Sequence, residues 1–162
     1  MKTELNLKVI NNRIVTSMVI SLFFITTACE SLKTAVFDQY AYQQAISLKI
    51  ESTNLMENAI NPFASFQSEI DELELELQKM VEYEKNKPNN EITYAMWTLV
   101  MDSERNLLAG FLKRWETEGQ LSQTFTNEAI IQISEALDLI IKYEAQKNKT
   151  NESNILNFLS NN

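Results

Sequence analysis

Apolar residues recur along much of this chain at three- and four-residue spacing, with few Gly or Pro to interrupt them. That period keeps residues on one helical face. The first such stretch runs from about Ser31 to Ile60. Phe37, Ala41, Ala45, Leu48, Leu55, Met56 and Ala59 share a face, with Gln39, Gln43, Glu51, Asn54, Glu57 and Asn58 opposite. One long amphipathic helix is predicted. Asn61-Pro62 ends it, because a residue before proline avoids the α region. Asn61 is then the expected N-cap of a second helix, with Pro62 at its first position. Phe63, Phe66, Ile70, Leu73, Leu77 and Met80 step by three and four, the spacing of left-handed helix packing. The ELELEL run at 72–77 also fits a strand, but the longer seam through it favours helix.

After the turn NKPNN, a third helix is predicted from about Glu91 to Glu118, capped by Asn90 and closed by Gly119. Trp97, Met101, Glu104, Leu108, Phe111 and Trp115 form its seam, and Gly110 within it is expected to let a neighbour pack closely. A polar linker leads to a fourth helix capped by Thr126, striped by Ile130, Ile133, Leu137, Ile140 and Ile141 and ending near Lys147. Residues 148–162 are rich in Asn and Ser and read as a flexible polar tail, in which Ile155, Leu156, Phe158 and Leu159 could pack. The expected fold is all-α, an up-down-up-down four-helix bundle over residues 33–147. A three-helix core with the first helix partly detached is the alternative.

The N-terminal pattern differs. Lys2, Lys8 and Arg13 precede twelve uncharged, largely apolar residues, Ile14 to Ile25; Thr26, Thr27, Ala28 and Cys29 follow. A basic region, a short apolar core and small residues make a secretory signal over residues 1–28. Arg13 and Glu30 bracket too few apolar residues for a transmembrane helix, which needs about 20. Cys29 is the only cysteine, so no intrachain disulfide can form.

Composition removes whole classes of chemistry. The chain has no histidine, which excludes Ser-His-Asp and Cys-His catalysis and histidine-ligated zinc. Gly occurs only at 110 and 119, so no glycine-rich phosphate loop can be built. The formal net charge of −8 argues against nucleic-acid binding. No metal site and no cofactor is expected; the cluster Glu69, Asp71, Glu72, Glu74, Glu76 lacks the loop pattern of a calcium site. Glu104 is the one candidate buried acid, since it falls in the Trp97–Trp115 seam, where desolvation would raise its pKa. Solvent exposure or an ion pair is the competing reading. Arg114 beside Trp115 is a candidate cation–π pair.

The Thr26-Thr27-Ala28-Cys29 run resembles the lipobox of bacterial lipoproteins, although Thr26 stands where an aliphatic residue is usual. The resemblance implies acylation of Cys29 and cleavage before it. Phe37-Asp38-Gln39-Tyr40 with Tyr42, and the stretch Asn106 to Trp115, also resemble motifs of small bacterial lipoproteins that carry no assigned activity. Residues 29–32 would then be a short tether, spanning roughly 15 Å, that seats the bundle on a membrane. Lys33, Lys79, Lys85, Lys87, Lys142, Lys147 and Lys149 would gather at the membrane end and face lipid headgroups. The far end would carry Phe63, Trp115, Glu116 and Glu118, with Glu57, Glu69, Asp71 and Glu128 around them, as the partner-binding surface. The expected function is non-enzymatic: a lipid-anchored adaptor or assembly factor of the bacterial envelope that binds another envelope protein. The alternative is an immunity or inhibitor lipoprotein; an enzyme using only carboxylates ranks third.

Overall fold

A computed structural model describes residues 36–161. The signal, Cys29 and the tether lie outside them. The described chain is all-helical: α1 (Gln39–Met56), α2 (Gln67–Lys85), α3 (Glu91–Val100), α4 (Leu108–Glu118), α5 (Gln123–Ala145) and α6 (Lys149–Asn161). Tight 3-10 turns at Glu57–Ile60 and Phe63–Ser65 join α1 to α2. No strand occurs among the described residues, and no helix there is long and apolar enough to cross a membrane.

Capping side chains open α1 and α5, and a glycine closes α4. Asp38 caps α1, its Oδ1 accepting from the backbone N–H groups of Tyr40 (2.9 Å) and Ala41 (3.2 Å). Ser122 caps α5, its Oγ accepting from Phe125 N–H. Gly119 ends α4 with φ 74°, a conformation that favours glycine. Asn61-Pro62 does break the chain, but α2 starts at Gln67, because Phe63–Ser65 first makes a separate turn.

The packing partners close into a circuit. α1 lies against α2 and α5, α3 against α2 and α6, and α5 against α6. Ala41, Ala45, Leu48, Leu77, Met96, Trp97, Leu137 and Ile140 fill the core between them. α4 closes one end, with Trp115 fully buried against Phe63 (5.5 Å, edge-on) and Phe66 (5.7 Å). Its indole donates to the Asn61 carbonyl at 3.0 Å. Leu121 N–H reaches the Ala59 carbonyl at 2.8 Å, so α5 starts where α1 ends.

Further expectations fail. The third predicted helix is two, because the DSERN stretch at 102–106 forms a turn. The Asp102 carboxylate accepts from Glu104 N–H (3.0 Å) and its carbonyl accepts from Arg105 N–H (3.1 Å), competing with helical bonding. The tail is not a loose polar segment: Asn148 Oδ1 accepts from Asn151 N–H, α6 follows, and Ile155 is buried in the core. Phe37 lies just before α1 and is exposed, while Ser52 takes a core position that the apolar pattern skips.

Candidate functional site

Two regions concentrate the chemistry. The first is a cleft between the C-terminal half of α1 and the N-terminal half of α2. Glu51, Asn54, Leu55 and Asn58 line one side; Glu69, Glu72, Leu73 and Glu76 line the other. Both sets follow i, i+3, i+4, i+7, so each helix offers one stripe to the cleft. Leu55 and Leu73 form a buried floor, Phe66 closes one end and Leu75 stands half exposed beside it. The cleft holds about 620 Å³ and no basic residue lines it. Glu76 pairs with Lys79 at 2.6 Å; among the described residues no ion pair reaches Glu51, Glu69 or Glu72. Beside the cleft, burial, Asp71 and Glu116 together raise the pKa of Glu74. The acidic character therefore extends over the end where α2 starts and α4 finishes.

The second region is an ionic chain at the opposite end. Asp38 accepts from the Tyr83 hydroxyl at 2.6 Å and pairs with Lys87 at 3.1 Å. Lys87 pairs with Glu84 at 3.2 Å, and Glu84 accepts from the Asn90 amide. The Asn90 carbonyl oxygen accepts from Lys147 (3.1 Å), which pairs with Glu144 (2.8 Å), and Glu144 accepts from Thr93 Oγ1 (2.9 Å). One network thus ties the start of α1, the ends of α2 and α5, and the start of α3. The Glu84 and Glu144 side chains have no exposed surface, and Glu144 Oε2 is buried without a partner. Burial, then the neighbouring Glu144, push the pKa of Glu84 up. Burial would also raise Asp38, but hydrogen bonds from Tyr83, Lys87 and the Ala41 N–H, with the charge of Lys87, hold it at about 2. Tyr83, donating to Asp38, is raised to about 12.

The sequence did carry a signal for this network. Glu84 continues the step Ile70, Leu73, Leu77, Met80, and Glu144 continues Ile133, Leu137, Ile140. A carboxylate at the next seam position, with a lysine three residues on, occurs in both helices. A buried clamp follows from that pattern, because the seam faces inward.

The predicted residues fare unevenly. Glu104 is not buried: the turn carries it out to solvent, 77% exposed, where it pairs with Lys113. Trp115 is buried and bonded, so it offers no free surface; Phe63 is half covered against it. Arg114 lies over Phe125 (4.1 Å) rather than Trp115, and pairs with Glu118 at 2.7 Å. Glu116 and Glu118 are exposed. Lys87 and Lys147 turn inward to Glu84 and Glu144, away from any surface role. Among the described residues no group of acidic residues is arranged to hold a metal ion. In a comparison with known proteins, no family model matches the chain, and neither a curated protein nor a solved structure matches it significantly.

Proposed function

We propose that this protein is a lipid-anchored docking module of the bacterial envelope, non-enzymatic, holding a basic helical segment of another envelope protein in the α1–α2 cleft. The observation that carries this reading is the cleft itself: an apolar floor rimmed by carboxylates, three of which have no counter-charge among the described residues. An amphipathic helix in a groove is a recurring recognition mode, read through anchors at i, i+3, i+4 and i+7. The lined stretch of α1, Glu51 to Asn58, is long enough for about two turns of such a helix. Opposite charge on the partner speeds encounter and fixes register.

The anchoring half of the proposal rests on the apolar N-terminal stretch and Cys29. The finer architecture is part of it too: an up-down-up-down four-helix bundle in which α3 and α4 share one limb and α6 fills in beside α3. Support comes from the shared ends, with the start of α1 joined to the ends of α2 and α5.

A titration tests the cleft. The probe is a synthetic amphipathic helix with leucines on one stripe and lysines flanking it. Glu69→Lys with Glu72→Lys should weaken binding at least tenfold. Glu135→Lys, on the exposed face of α5, should leave it unchanged. Equal binding by all three proteins would refute the docking surface. Mass spectrometry of the membrane-extracted protein tests the anchor; an unmodified Cys29 would refute that half alone.

A further inference from the structure

The third surface feature lies where the described chain begins. Val36, Phe37, Tyr40 and Tyr83 are all exposed, Val36 by 84% and Phe37 by 55%. Tyr40 and Tyr83 meet at 4.8 Å, from the start of α1 and the last turn of α2. A shallow recess beside them is lined by Lys79, Glu82, Asn86 and Lys87. Tyr83 donates to Asp38 and Phe37 meets Tyr42 at 6.2 Å, yet the rings still present apolar surface outward, and the α1 stripe that enters the core begins only at Ala41.

We propose that this patch is a membrane-contacting surface that seats in the headgroup layer of the bilayer to which Cys29 is anchored. The proposal rests on the anchoring reading above and adds to it the face that touches lipid. Three facts favour lipid as the occupant. Chain length comes first: Val36 lies seven residue steps after Cys29, so an acylated Cys29 holds this patch within roughly 25 Å of the membrane. Composition comes next, because tyrosine and other amphipathic rings settle at the membrane–water interface, apolar body inward and hydroxyl to water. Charge comes third. Lys79 and Lys85, both about half exposed, offset Glu76 and Glu82, with which they pair, so this edge does not add to the acidity that would repel anionic headgroups; Lys87 is turned to Asp38 and Glu84.

The consequence is orientation. Acyl chains alone leave a domain free to tumble about its tether. A second contact fixes α1 as a post rising from the surface. The stretch from Phe37 to Glu51–Asn58 then stands the docking cleft roughly 20–30 Å above the headgroups, open to a partner.

Because Cys29 is the only native cysteine, acylation leaves an introduced thiol as the single labelling site. The full, acylated chain is reconstituted in phosphatidylethanolamine–phosphatidylglycerol vesicles containing a nitroxide-headgroup lipid. An environment-sensitive fluorophore is placed at Asn86→Cys, beside the patch but remote in sequence from the tether, or at Glu57→Cys, at the far end of α1. The Asn86 label should shift to the blue and be quenched several-fold more than the Glu57 label. Phe37→Ser with Tyr40→Ser should bring its quenching down to the Glu57 level. Phe37→Ser alone, outside the helix, should give a partial loss and guards against a folding defect. Equal quenching at the two sites, or quenching indifferent to the ring substitutions, would overturn the proposal. So would a shielded Asn86 label without nitroxide quenching, which marks a second protein on the patch. Mass spectrometry separates the two readings. An unmodified Cys29 removes the anchor and the patch together; an unquenched label on an acylated chain removes the patch alone.

Discussion

The carbonyl oxygen of Arg105 occupies the place where a β-carbon on residue 110 would stand. The Asp102–Asn106 turn therefore folds directly onto the first turn of α4, and glycine at 110 is what lets it.

A methyl group there must displace backbone, not a flexible side-chain end. Gly110→Ala should cost about 2–4 kcal/mol, more than the helix propensity of alanine returns. Chemical denaturation would show the loss as a lowered midpoint. Gly119→Ala is also unfavourable, but for a different reason: its φ of 74° strains any β-carbon while the space around it is open. A Gly110→Ala protein as stable as the parent would mean that the turn does not press on α4.

Sequence periodicity carried the helical class and most of the core, because a buried stripe must repeat at the helical period whatever the loops do. Ala41, Ala45, Leu48, Ile70, Leu77, Trp97, Phe111 and Leu137 all lie where that period puts them. Helix breaks were less legible. Leu107 and Leu108 keep the seam in step across Asp102–Asn106, so the pattern alone reads through a turn that asparate-to-backbone bonds create. The α1–α2 cleft was legible only as a run of acids, since its shape depends on which face of α1 meets α2. Glu84 and Glu144 were harder to read, because a carboxylate at a seam position is buried only where a cation comes with it: Lys87 and Lys147 follow three residues on, whereas Glu104 has no such lysine and is exposed.

Asp38 and Glu84 share Lys87 yet should respond to pH with opposite signs. The folded pKa of Asp38 is depressed to about 2 from 3.8, so it contributes stability above the unfolded value and loses it as pH falls toward 2. Asp38→Asn should thus cost about 1 kcal/mol at neutral pH, after allowance for solvent screening, and almost nothing near pH 2. The folded pKa of Glu84 is raised above 4.5, so its ionised form weighs against folding increasingly as pH rises through that value. Glu84→Gln should therefore be neutral or stabilising at pH 7, with the advantage shrinking toward pH 4. Urea midpoints across pH 3–8 would show the crossing trends; a larger loss for Glu84→Gln than for Asp38→Asn at pH 7 would contradict them.

Among the described residues Lys147 is the cation paired with Glu144, whose carboxylate has no exposed surface. Removing one partner of a buried pair strands the other, so Lys147→Met should cost about 3–5 kcal/mol. Neutralising the stranded acid should recover much of that. Lys147→Met with Glu144→Gln keeps an acceptor for Thr93 and should sit closer to the parent than either the lysine variant or their summed effects. Melting temperatures of the three proteins would decide; an additive double variant would mean that the two residues do not act as a pair.

Ser122 and Thr126 test where α5 begins. Periodicity suggests Thr126 as the cap, but the hydroxyl that accepts from the first turn belongs to Ser122, and Thr126 lies a turn further in with its hydroxyl buried and unpartnered. A capping hydroxyl stabilises by about 1 kcal/mol, so Ser122→Ala should lower stability by that amount. Burying a hydroxyl with no partner is unfavourable, so Thr126→Val, which keeps the shape and removes the polar atom, should be neutral or stabilise by about 1 kcal/mol. Were Thr126 the cap, both effects would reverse. Thermal melts of the two single variants separate the cases, because the predicted shifts are of opposite sign or, at the least, fall on Ser122 alone.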